Sequence, residues 1–259
     1  MSKIDISFCA PSIRPHLWKT FCDSLANTKA SWEAIFVGPL PPNFKWIKSH
    51  VKPSQCTHIA FMEAQGEFIS LTADDAQYFS PDKTSSTDNM LGYIRNYPWA
   101  DDFSYHYAFG FRMFEDNFAV ETSLTHKLNF VNDTTSPLLY PFFVVRKETY
   151  LKLHGYDTRF VCGQAENDFL LRVAFNYGHT ANSLAPRAMV WANHDEGHNN
   201  QSKFREYHPY ETELLKKLWL HNNTFTTMRQ YPLEEYVNDG TIRVISQGVA
   251  GEWTANVSV

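Results

Sequence analysis

An acidic cluster stands in the second half of the chain, where an apolar helical pattern begins. Glu166 and Asp168 open the segment 165–177, whose apolar residues recur at helical spacing. Carboxylates at the start of a helix lie against the positive end of its dipole, and we expect them to stay ionised. An ionised carboxylate can accept a proton as a general base or bind a metal ion. An ordinary acidic first turn is the structural alternative.

A second pair of carboxylates follows a short apolar run. Asp74 and Asp75 come just after Phe68–Leu71, which has the composition of a buried strand. Ligands of open α/β sheets bind beyond the carboxyl ends of the strands, so the pair is placed for ligand binding. Adjacent carboxylates suit a hard divalent cation such as Mn²⁺ or Mg²⁺. A turn that caps the strand is the alternative interpretation.

Two histidines form a third candidate site. His194 and His198 are four residues apart, which is the spacing of the zinc ligands in a metallopeptidase helix. In that motif a glutamate follows the first histidine, whereas Asp195 stands here, and Gly197 weakens a helix. A zinc-dependent hydrolase using His194 and His198 is therefore an alternative hypothesis, which stoichiometric zinc in the purified protein would support.

The first 80 residues alternate between strand and helix patterns. This alternation predicts an α/β sheet that is mainly parallel. The predicted elements are a strand at 4–10, a helix at 17–25, a strand at 34–37 stopped by Gly38, a helix at 54–65 with Gly66 as its C-terminal cap, and a strand at 68–71.

The rest of the chain predicts shorter strands and three helices. The helices are at 146–154, 165–177 and 210–222, and the strands are near 139–145 and 189–192. Alternation of Tyr105, Tyr107 and Phe109 predicts a further strand with one aromatic face that packs in the core. Stacking of a sugar on Trp99 or Tyr107 is the minor alternative. We expect one domain over 1–200 and a helical extension over 201–259 that packs on it.

Composition and charge exclude several classes of protein. The 259 residues are 43% hydrophobic and 15% aromatic, which is enough for a large core. The net charge of −5 predicts no nucleic-acid partner. No segment has the apolar length of a membrane span or the form of a signal peptide. The four cysteines are widely scattered, so we expect reduced thiols and a cytoplasmic protein.

Several blocks, taken in order, resemble the inverting family 2 glycosyltransferases of the GT-A fold. The segment 142–150 followed by Gly155–Phe160 resembles that family's strand, basic pair, helix and Gly-Phe-Asp-x-x-Phe turn. The segment 64–69 with 73–75 resembles the approach to its metal-binding D-x-D motif. The segment 190–194 resembles its closing strand and the histidine behind it. The resemblance covers most of residues 4–200.

The resemblance implies a fold and a reaction. The fold is the GT-A, or nucleotide-diphospho-sugar transferase, fold, with a mixed, mostly parallel central sheet flanked by helices. The reaction moves a sugar from a nucleotide-sugar donor, UDP-sugar above others, to a hydroxyl of a glycan or another acceptor, with inversion of the anomeric carbon. A divalent cation, Mn²⁺ or Mg²⁺, would stabilise the departing diphosphate.

The resemblance also assigns roles to residues of this sequence. Glu166, six residues before Arg172, stands where the family has its catalytic base. Asp168 matches the acidic residue two positions on, and we expect it to contact the acceptor or orient the helix. Asp75 would bind the metal, with Asp74 on the ribose or a metal-bound water. His194, or His198 in its place, would be a third metal ligand or contact the diphosphate.

Two departures from the family pattern affect the nucleotide site. Ala73 replaces the first acidic residue of the D-x-D motif, and Gly38 stands where an acidic residue usually contacts the base. The room at Gly38 could admit a purine, or backbone near Pro11 and Ser12 together with Arg14 could hold the base. The sequence therefore predicts weak discrimination among bases.

The same departures leave a second hypothesis open. The family's Arg-Asn pair falls on Thr57 and His58, and the D-x-D motif is incomplete. A non-catalytic module that binds a nucleotide sugar would need neither feature. Turnover of any nucleotide sugar would exclude that alternative.

Overall fold

The computed structural model describes twelve ranges of the chain: 3–38, 46–48, 52–97, 104–115, 120–121, 141–157, 159–160, 162–177, 184–192, 207–221, 243–245 and 256–257. In these ranges an 11-stranded sheet is flanked by helices. The strands are β1 (Ile6–Pro11), β2 (Trp32–Gly38), β3 (Trp46–Lys48), β4 (Phe68–Leu71), β5 (Ala76–Phe79), β6 (Phe109–Glu115), β7 (Val120–Glu121), β8 (Phe143–Arg146), β9 (Leu184–Ala192), β10 (Arg243–Ile245) and β11 (Asn256–Val257). The α-helices are α1 (Trp18–Ser24), α2 (Pro53–Glu63), α3 (Ser86–Arg95), α4 (Lys147–Lys152), α5 (Ala165–Tyr177) and α6 (His208–Lys216).

The sheet has a parallel half and a mixed half. Its spatial order is β11-β10-β3-β2-β1-β4-β8-β6-β9-β5, with β7 on β6. Strands β3, β2, β1 and β4 are parallel neighbours, whereas β8 is antiparallel to both β4 and β6. Strand β9 is parallel to β6 and antiparallel to β5. The prediction of a mostly parallel sheet was therefore wrong for the sheet as a whole, because its second half is not built from strand–helix–strand units.

Two hydrophobic clusters cover the faces of the sheet. One contains Trp18 and Phe21 of α1 with Phe8 and Phe36 of the central strands. The other packs α2, α4 and α5 against alternate residues of the same strands, including Cys9. Strand β2 is buried along its whole length, which explains why its residues 34–37 are apolar without alternation.

Most predicted elements are confirmed, and three details differ. Strands β1, β2 and β4 and helices α1, α2 and α5 lie where they were expected. The predicted aromatic strand from Tyr105 was wrong: Ser104–His106 is a 3₁₀ turn, Tyr105 is 41% exposed, and β6 begins only at Phe109. Strand β8 begins at Phe143, later than predicted, and β9 begins at Leu184, earlier than predicted.

Gly66 has a different role from the predicted helix cap. Helix α2 ends at Glu63, and its C-cap residue is Ala64. A Cβ atom on Gly66 would lie 2.7 Å from the backbone nitrogen of Ser7, and the Gly66 amide donates to Ser7 Oγ at 2.8 Å. The glycine is therefore needed for close approach to β1 rather than for a helix cap.

The C-terminal part of the chain adds a helix to the second cluster. Leu215 of α6 and Leu218 and Trp219 of the following π-helical turn (Lys217–His221) are buried there. The domain division near residue 200 stays a prediction, since 193–206 lie outside the described residues. The four cysteines, all within described ranges, form no disulfide. Across the described ranges, no helix combines the length and the apolar character needed to span a membrane.

Candidate functional site

A cavity opens at the carboxyl ends of β1 and β4, beside the start of α2. Its volume is about 170 Å³. It is lined by Pro11, Pro53, Ser54, Thr57, Leu71, Thr72, Ala73, Pro141, Phe142, Tyr156, Cys162 and Glu166. Pro11 ends β1, and Leu71–Ala73 leads from β4 into the Asp74–Asp75 pair. The cavity is therefore at the edge of the sheet where open α/β folds bind ligands.

Glu166 is the carboxylate of this lining, and its environment departs from the sequence prediction. The residue begins α5 and is only partly exposed. Burial raises the pKa of Glu166 to about 8, and the negative charge of Glu211 adds to the rise. The expectation that this carboxylate stays ionised at the helix start was wrong, since removal from water outweighs the helix dipole. A carboxyl group with this pKa exchanges protons near neutral pH, which suits a general base.

Glu211 of α6 holds the loop that precedes α5. Its two carboxylate oxygens accept hydrogen bonds from the backbone amides of Cys162, at 2.6 Å, and Gly163, at 3.0 Å. Glu211 is fully buried. A helix that is distant in sequence therefore fixes the backbone just before Glu166 and places a second negative charge near it.

Asp168 lies inside the protein rather than in the cavity lining. Its Oδ2 accepts from Arg172 Nε at 3.0 Å, and its Oδ1 accepts from Trp219 Nε1 at 2.9 Å. The same guanidinium donates to the carbonyl oxygens of Leu153 and Gly155, at 2.5 and 2.6 Å. Both carboxylate oxygens are thus used within the chain. Asp168 connects α5 to α4 and to the C-terminal helices, which fits the predicted orienting role and not a contact with the acceptor.

The turn after α4 depends on a glycine. Gly155 has φ +68°, and a Cβ atom there would lie 2.7 Å from the His58 ring. The amide of Tyr156 donates to Tyr150 Oη at 3.0 Å, so the Tyr150 hydroxyl is left to donate to His58 Nδ1, at 2.5 Å. Burial lowers the pKa of His58 to about 4, with Arg172 adding to the effect, which keeps the ring neutral.

This turn directs Tyr156 into the cavity. Tyr156 is 2% exposed, and its hydroxyl is buried without a hydrogen-bond partner among the described residues. Its ring packs edge-on against Phe61, with the centroids 5.5 Å apart. The sequence prediction did not include this residue. The available signal was a tyrosine, with its extra oxygen, at the phenylalanine position of the Gly-Phe-Asp-x-x-Phe turn.

Asp74 is fully engaged by the loop after β1. Its Oδ2 accepts from Ser12 Oγ at 2.7 Å and from the amides of Ile13 and Arg14 at 3.2 and 3.1 Å. Its Oδ1 accepts from Arg14 Nε at 3.0 Å and also from Nη2 of the same residue. Trp18 Nε1 donates to Ser12 Oγ at 2.5 Å and extends the network. Asp74 thus joins the ends of β1 and β4.

Arg14 also binds the second carboxylate of the pair. Its Nη2 lies 2.9 Å from Asp75 Oδ2, and both aspartates are almost completely buried. Burial is the largest single effect on the pKa of Arg14 and lowers it. The hydrogen bonds and charges of Asp74 and Asp75 together outweigh burial, so the pKa is raised above its ordinary value. Arg14 Nη1 is buried without a hydrogen-bond partner in the described part of the chain.

The Asp74–Asp75 pair does not fit a divalent cation in this arrangement. One guanidinium contacts both carboxylates and balances one of their two negative charges, and both oxygens of Asp74 already accept hydrogen bonds. The described ranges contain no group of three or more His, Cys, Asp and Glu side chains arranged to hold a metal. His194 and His198, which were predicted as metal ligands, lie outside the described residues.

Gly38 does not leave room for a nucleotide base. A Cβ atom on this residue would lie 1.7 Å from the carbonyl oxygen of Ser12, so backbone fills the space beside it. The amide of Ser12 donates to the Val37 carbonyl at 2.8 Å, which holds the two segments together. The idea that Gly38 opens space for a purine was wrong. Pro11 lines the cavity, and Ser12 supports Asp74.

The comparisons with known proteins are structural ones. No protein-family model and no curated protein matches the sequence. A structure of S. aureus TarS 1-349 in complex with UDP-GlcNAc has a TM-score of 0.56 at 15% identity, covering 91% of this chain and 72% of that one. A longer S. aureus TarS structure has a TM-score of 0.52 at 14% identity, covering 90% of this chain and 46% of that one.

A third solved structure is a mutant of Drosophila β1,4-galactosyltransferase 7 in complex with manganese, UDP-Gal and xylobiose. Its TM-score is 0.48 at 10% identity, covering 99% of this chain and 95% of that one. At that score the likeness carries no argument about the present site. The TarS structures, in contrast, match over nine-tenths of the chain. The chain therefore has the mixed α/β fold of the GT-A glycosyltransferases.

Proposed function

We propose that this protein transfers a sugar from a nucleotide-sugar donor to an acceptor hydroxyl, with Glu166 as the general base. One observation carries the proposal. Glu166 places a carboxyl group, with a pKa raised to about 8 by burial, in the cavity at the carboxyl ends of β1 and β4. A base that can take up a proton near neutral pH is what activation of a hydroxyl needs.

The proposed step is a direct displacement at the anomeric carbon. The acceptor oxygen forms a bond to that carbon while the bond from the carbon to the diphosphate oxygen breaks. The acceptor proton passes to Glu166, and the nucleoside diphosphate leaves with the electron pair. Attack from the face opposite the leaving group inverts the anomeric configuration.

A UDP-sugar is the proposed class of donor. The TarS structures that share this fold were determined with UDP and with UDP-GlcNAc. In the present chain, Nη1 of Arg14 is buried near the end of β1 and has no hydrogen-bond partner among the described residues. This atom can donate to an anionic or carbonyl oxygen. The acceptor is proposed only as a hydroxyl group, on a glycan or another molecule.

No step of this proposal uses a metal ion. Arg14 already supplies a positive charge to Asp74 and Asp75, and the described residues contain no group of three or more His, Cys, Asp and Glu side chains that could hold a metal ion. The metal dependence expected from the D-x-D resemblance is therefore the part of the sequence hypothesis that the geometry supports least.

The test combines binding and turnover. UDP binding is measured by calorimetry, and release of UDP from UDP-sugars is followed with water and with glycan acceptors. Glu166→Gln keeps the shape but cannot accept a proton, so the rate should fall on the order of 10²-fold or more with UDP affinity unchanged. Glu213→Gln, an exposed carboxylate on α6, is the control and should keep full activity.

Two results would contradict the proposal. One is a Glu166→Gln variant that turns over as fast as wild type. The other is a product, examined by NMR at early times, whose anomeric configuration is the same as that of the donor, because a retaining reaction does not need this base.

A non-catalytic nucleotide-sugar-binding module is the second candidate. It is favoured by the closed Arg14–Asp74–Asp75 network, which leaves neither of these carboxylates for a metal-assisted departure of the diphosphate. Tight UDP-sugar binding without release of UDP, with water and acceptors present, would support this candidate over the enzyme.

A further inference from the structure

A buried hydroxyl without a partner among the described residues belongs to Tyr156, which lines the cavity with Glu166. Tyr156 Oη has no hydrogen-bond partner among the described residues, although only 2% of the residue surface is exposed. Tyr156 and Glu166 both line the cavity, and the charge of Glu166 acts on the Tyr156 hydroxyl. A buried hydroxyl without a hydrogen-bond partner destabilises the folded protein. Its presence in a cavity wall therefore points to a ligand that supplies the missing partner.

The position of this hydroxyl is fixed by its surroundings. The Tyr156 ring packs against Phe61 and Phe169, with centroids 5.5 and 5.9 Å away. Its backbone amide is held by Tyr150 Oη. The next residue, Asp157, is buried and binds Arg159 through both carboxylate oxygens. The oxygen is therefore held at a defined place in the cavity wall, as a specific contact requires.

The chemistry of the cavity favours a neutral polyhydroxylated ring. Burial raises the pKa of Tyr156 well above its ordinary value, so the hydroxyl keeps its proton and can donate. Pro11, Pro141 and Phe142 provide apolar walls. Apolar walls with a few polar groups suit a sugar ring, which has C–H faces and hydroxyl groups.

We propose that the Tyr156 hydroxyl donates a hydrogen bond to a hydroxyl group of the transferred sugar and so contributes to donor selection. This inference rests on the proposed function and goes beyond it, because it assigns the sugar subsite to a residue outside the base and the nucleotide contacts. A phenylalanine would fill the same ring position without this contact. The extra oxygen is therefore a feature of specificity rather than of the fold.

The experiment separates the sugar contact from the nucleotide contact. UDP, UDP-glucose, UDP-galactose and UDP-N-acetylglucosamine are titrated calorimetrically into wild type and Tyr156→Phe. For the sugar nucleotide that wild type binds best, Tyr156→Phe should weaken binding about two- to tenfold, the equivalent of one net hydrogen bond, and leave UDP binding unchanged. The melting temperature of ligand-free Tyr156→Phe should equal or exceed that of wild type, since an unsatisfied buried hydroxyl is removed.

Tyr150→Phe is the matched control. The Tyr150 hydroxyl is also buried and lies in the neighbouring ring, but it is bonded to His58 and to the Tyr156 amide. Its removal should lower the melting temperature, because two buried hydrogen bonds are lost. The two variants should therefore shift stability in different directions.

Each remaining outcome rejects one of the two proposals. If wild type binds neither UDP nor a UDP-sugar, the proposed function fails, and the sugar contact fails with it. If wild type binds both but Tyr156→Phe changes neither affinity, or weakens UDP equally, the sugar contact alone is wrong. The sugar contact is also wrong if, for every UDP-sugar, the ratio of UDP-sugar affinity to UDP affinity in Tyr156→Phe equals or exceeds the ratio in wild type.

Discussion

Glu166 experiences two opposing effects at the residue scale. The first turn of α5 favours its ionised form by about 0.3–1 kcal/mol, which is the usual contribution of a helix dipole at an exposed site. Burial and the nearby Glu211 charge act the other way and raise its pKa to about 8. Because desolvation of a carboxylate is worth several pKa units in a closed site, burial prevails and the group is protonated over much of the neutral range.

The pH dependence of the reaction follows from this pKa. A general base must be unprotonated, so kcat/KM for a UDP-sugar should rise about tenfold per pH unit below the pKa and level off above about 8. In Glu166→Gln the remaining slow rate should lack this rise. The measurement is a pH–rate profile from about 5.5 to about 9.5, which brackets that pKa, and a flat wild-type profile across that range would count against Glu166 as the base.

At the residue scale, the positive charge of Arg14 lies against the carboxylates of Asp74 and Asp75. Its guanidinium is buried against two carboxylates, and its own side chain is 15% exposed. Breaking such a buried pair from one side costs about 3–5 kcal/mol, since the remaining charges have no compensation. The network therefore stabilises the ends of β1 and β4 while it occupies the pair that a cation would need.

Replacement of Arg14 should free the carboxylates of Asp74 and Asp75 to bind a metal ion. Arg14→Met should lower the melting temperature strongly, and added Mn²⁺ should restore part of the loss by binding the freed carboxylates. Wild type without nucleotide should show no shift with Mn²⁺. Arg95→Met is the control, because Arg95 pairs with Asp5 at the surface and such pairs contribute little. Stabilisation of ligand-free wild type by Mn²⁺ would show that the closed network opens readily.

At the scale of elements, the C-terminal helices support α5, the helix that carries Glu166. Trp219 donates to Asp168 of α5, and Glu211 of α6 accepts from the two amides that precede α5. These contacts span about 50 residues of sequence, 51 for the first pair and 49 and 48 for the others. Helix α6 therefore determines where α5 begins, and so where the Glu166 carboxyl lies.

Removal of the Glu211 charge should lower the pKa of Glu166. Glu211→Gln keeps one acceptor oxygen for the loop but removes a negative charge that raises the Glu166 pKa. The acid limb of the pH–rate profile should move to lower pH, and the loss of one buried acceptor should cost about 1–3 kcal/mol of stability. Glu213→Gln, on the exposed side of the same helix, should move neither quantity. An unchanged limb in Glu211→Gln would mean that burial alone sets the pKa.

At the scale of the whole molecule, the two halves of the sheet have different functions. The parallel strands β1 and β4 are neighbours, and their carboxyl ends form the cavity edge with α2. The mixed strands bring Phe142 and the turn after α4 to the same edge through the antiparallel pairing of β8 with β4. The site is thus formed where the parallel half meets the mixed half.

The buried His58 connects this arrangement to global stability. Its pKa is about 4 in the folded protein, against an ordinary value of 6.5 for an exposed histidine, so the unfolded chain binds more protons between these limits. Its contribution is present above pH 6.5 and is lost as the pH falls towards 4, by up to roughly 3 kcal/mol. His58→Asn, which keeps an acceptor but does not titrate, should flatten the loss of stability in that window. An unchanged pH dependence of denaturant unfolding in this variant would contradict the assignment.

The sequence alone determined the elements whose pattern is local. The apolar run of β2, the alternation in β1 and the helical period of α5 each reflect the burial of a residue by its near neighbours in the chain. These features depend on interactions within about one helix turn or one strand, which a sequence displays directly. The choice of Glu166 came instead from the resemblance to a known family, through its spacing to Arg172.

Only the tertiary structure decided the properties that depend on distant residues. Arg14 meets Asp74 across 60 residues, and Ser12 fills the space beside Gly38. The Glu166 pKa depends on its burial and on the charge of Glu211, and Tyr156 joins the cavity lining after the Gly155 turn. A pattern of apolar and polar residues shows which side chains are buried but not which groups they meet. The charge, the free space and the hydrogen bonds at this site depend on contacts between distant residues. Electrostatic and steric interactions depend on distance in space and not on separation along the chain.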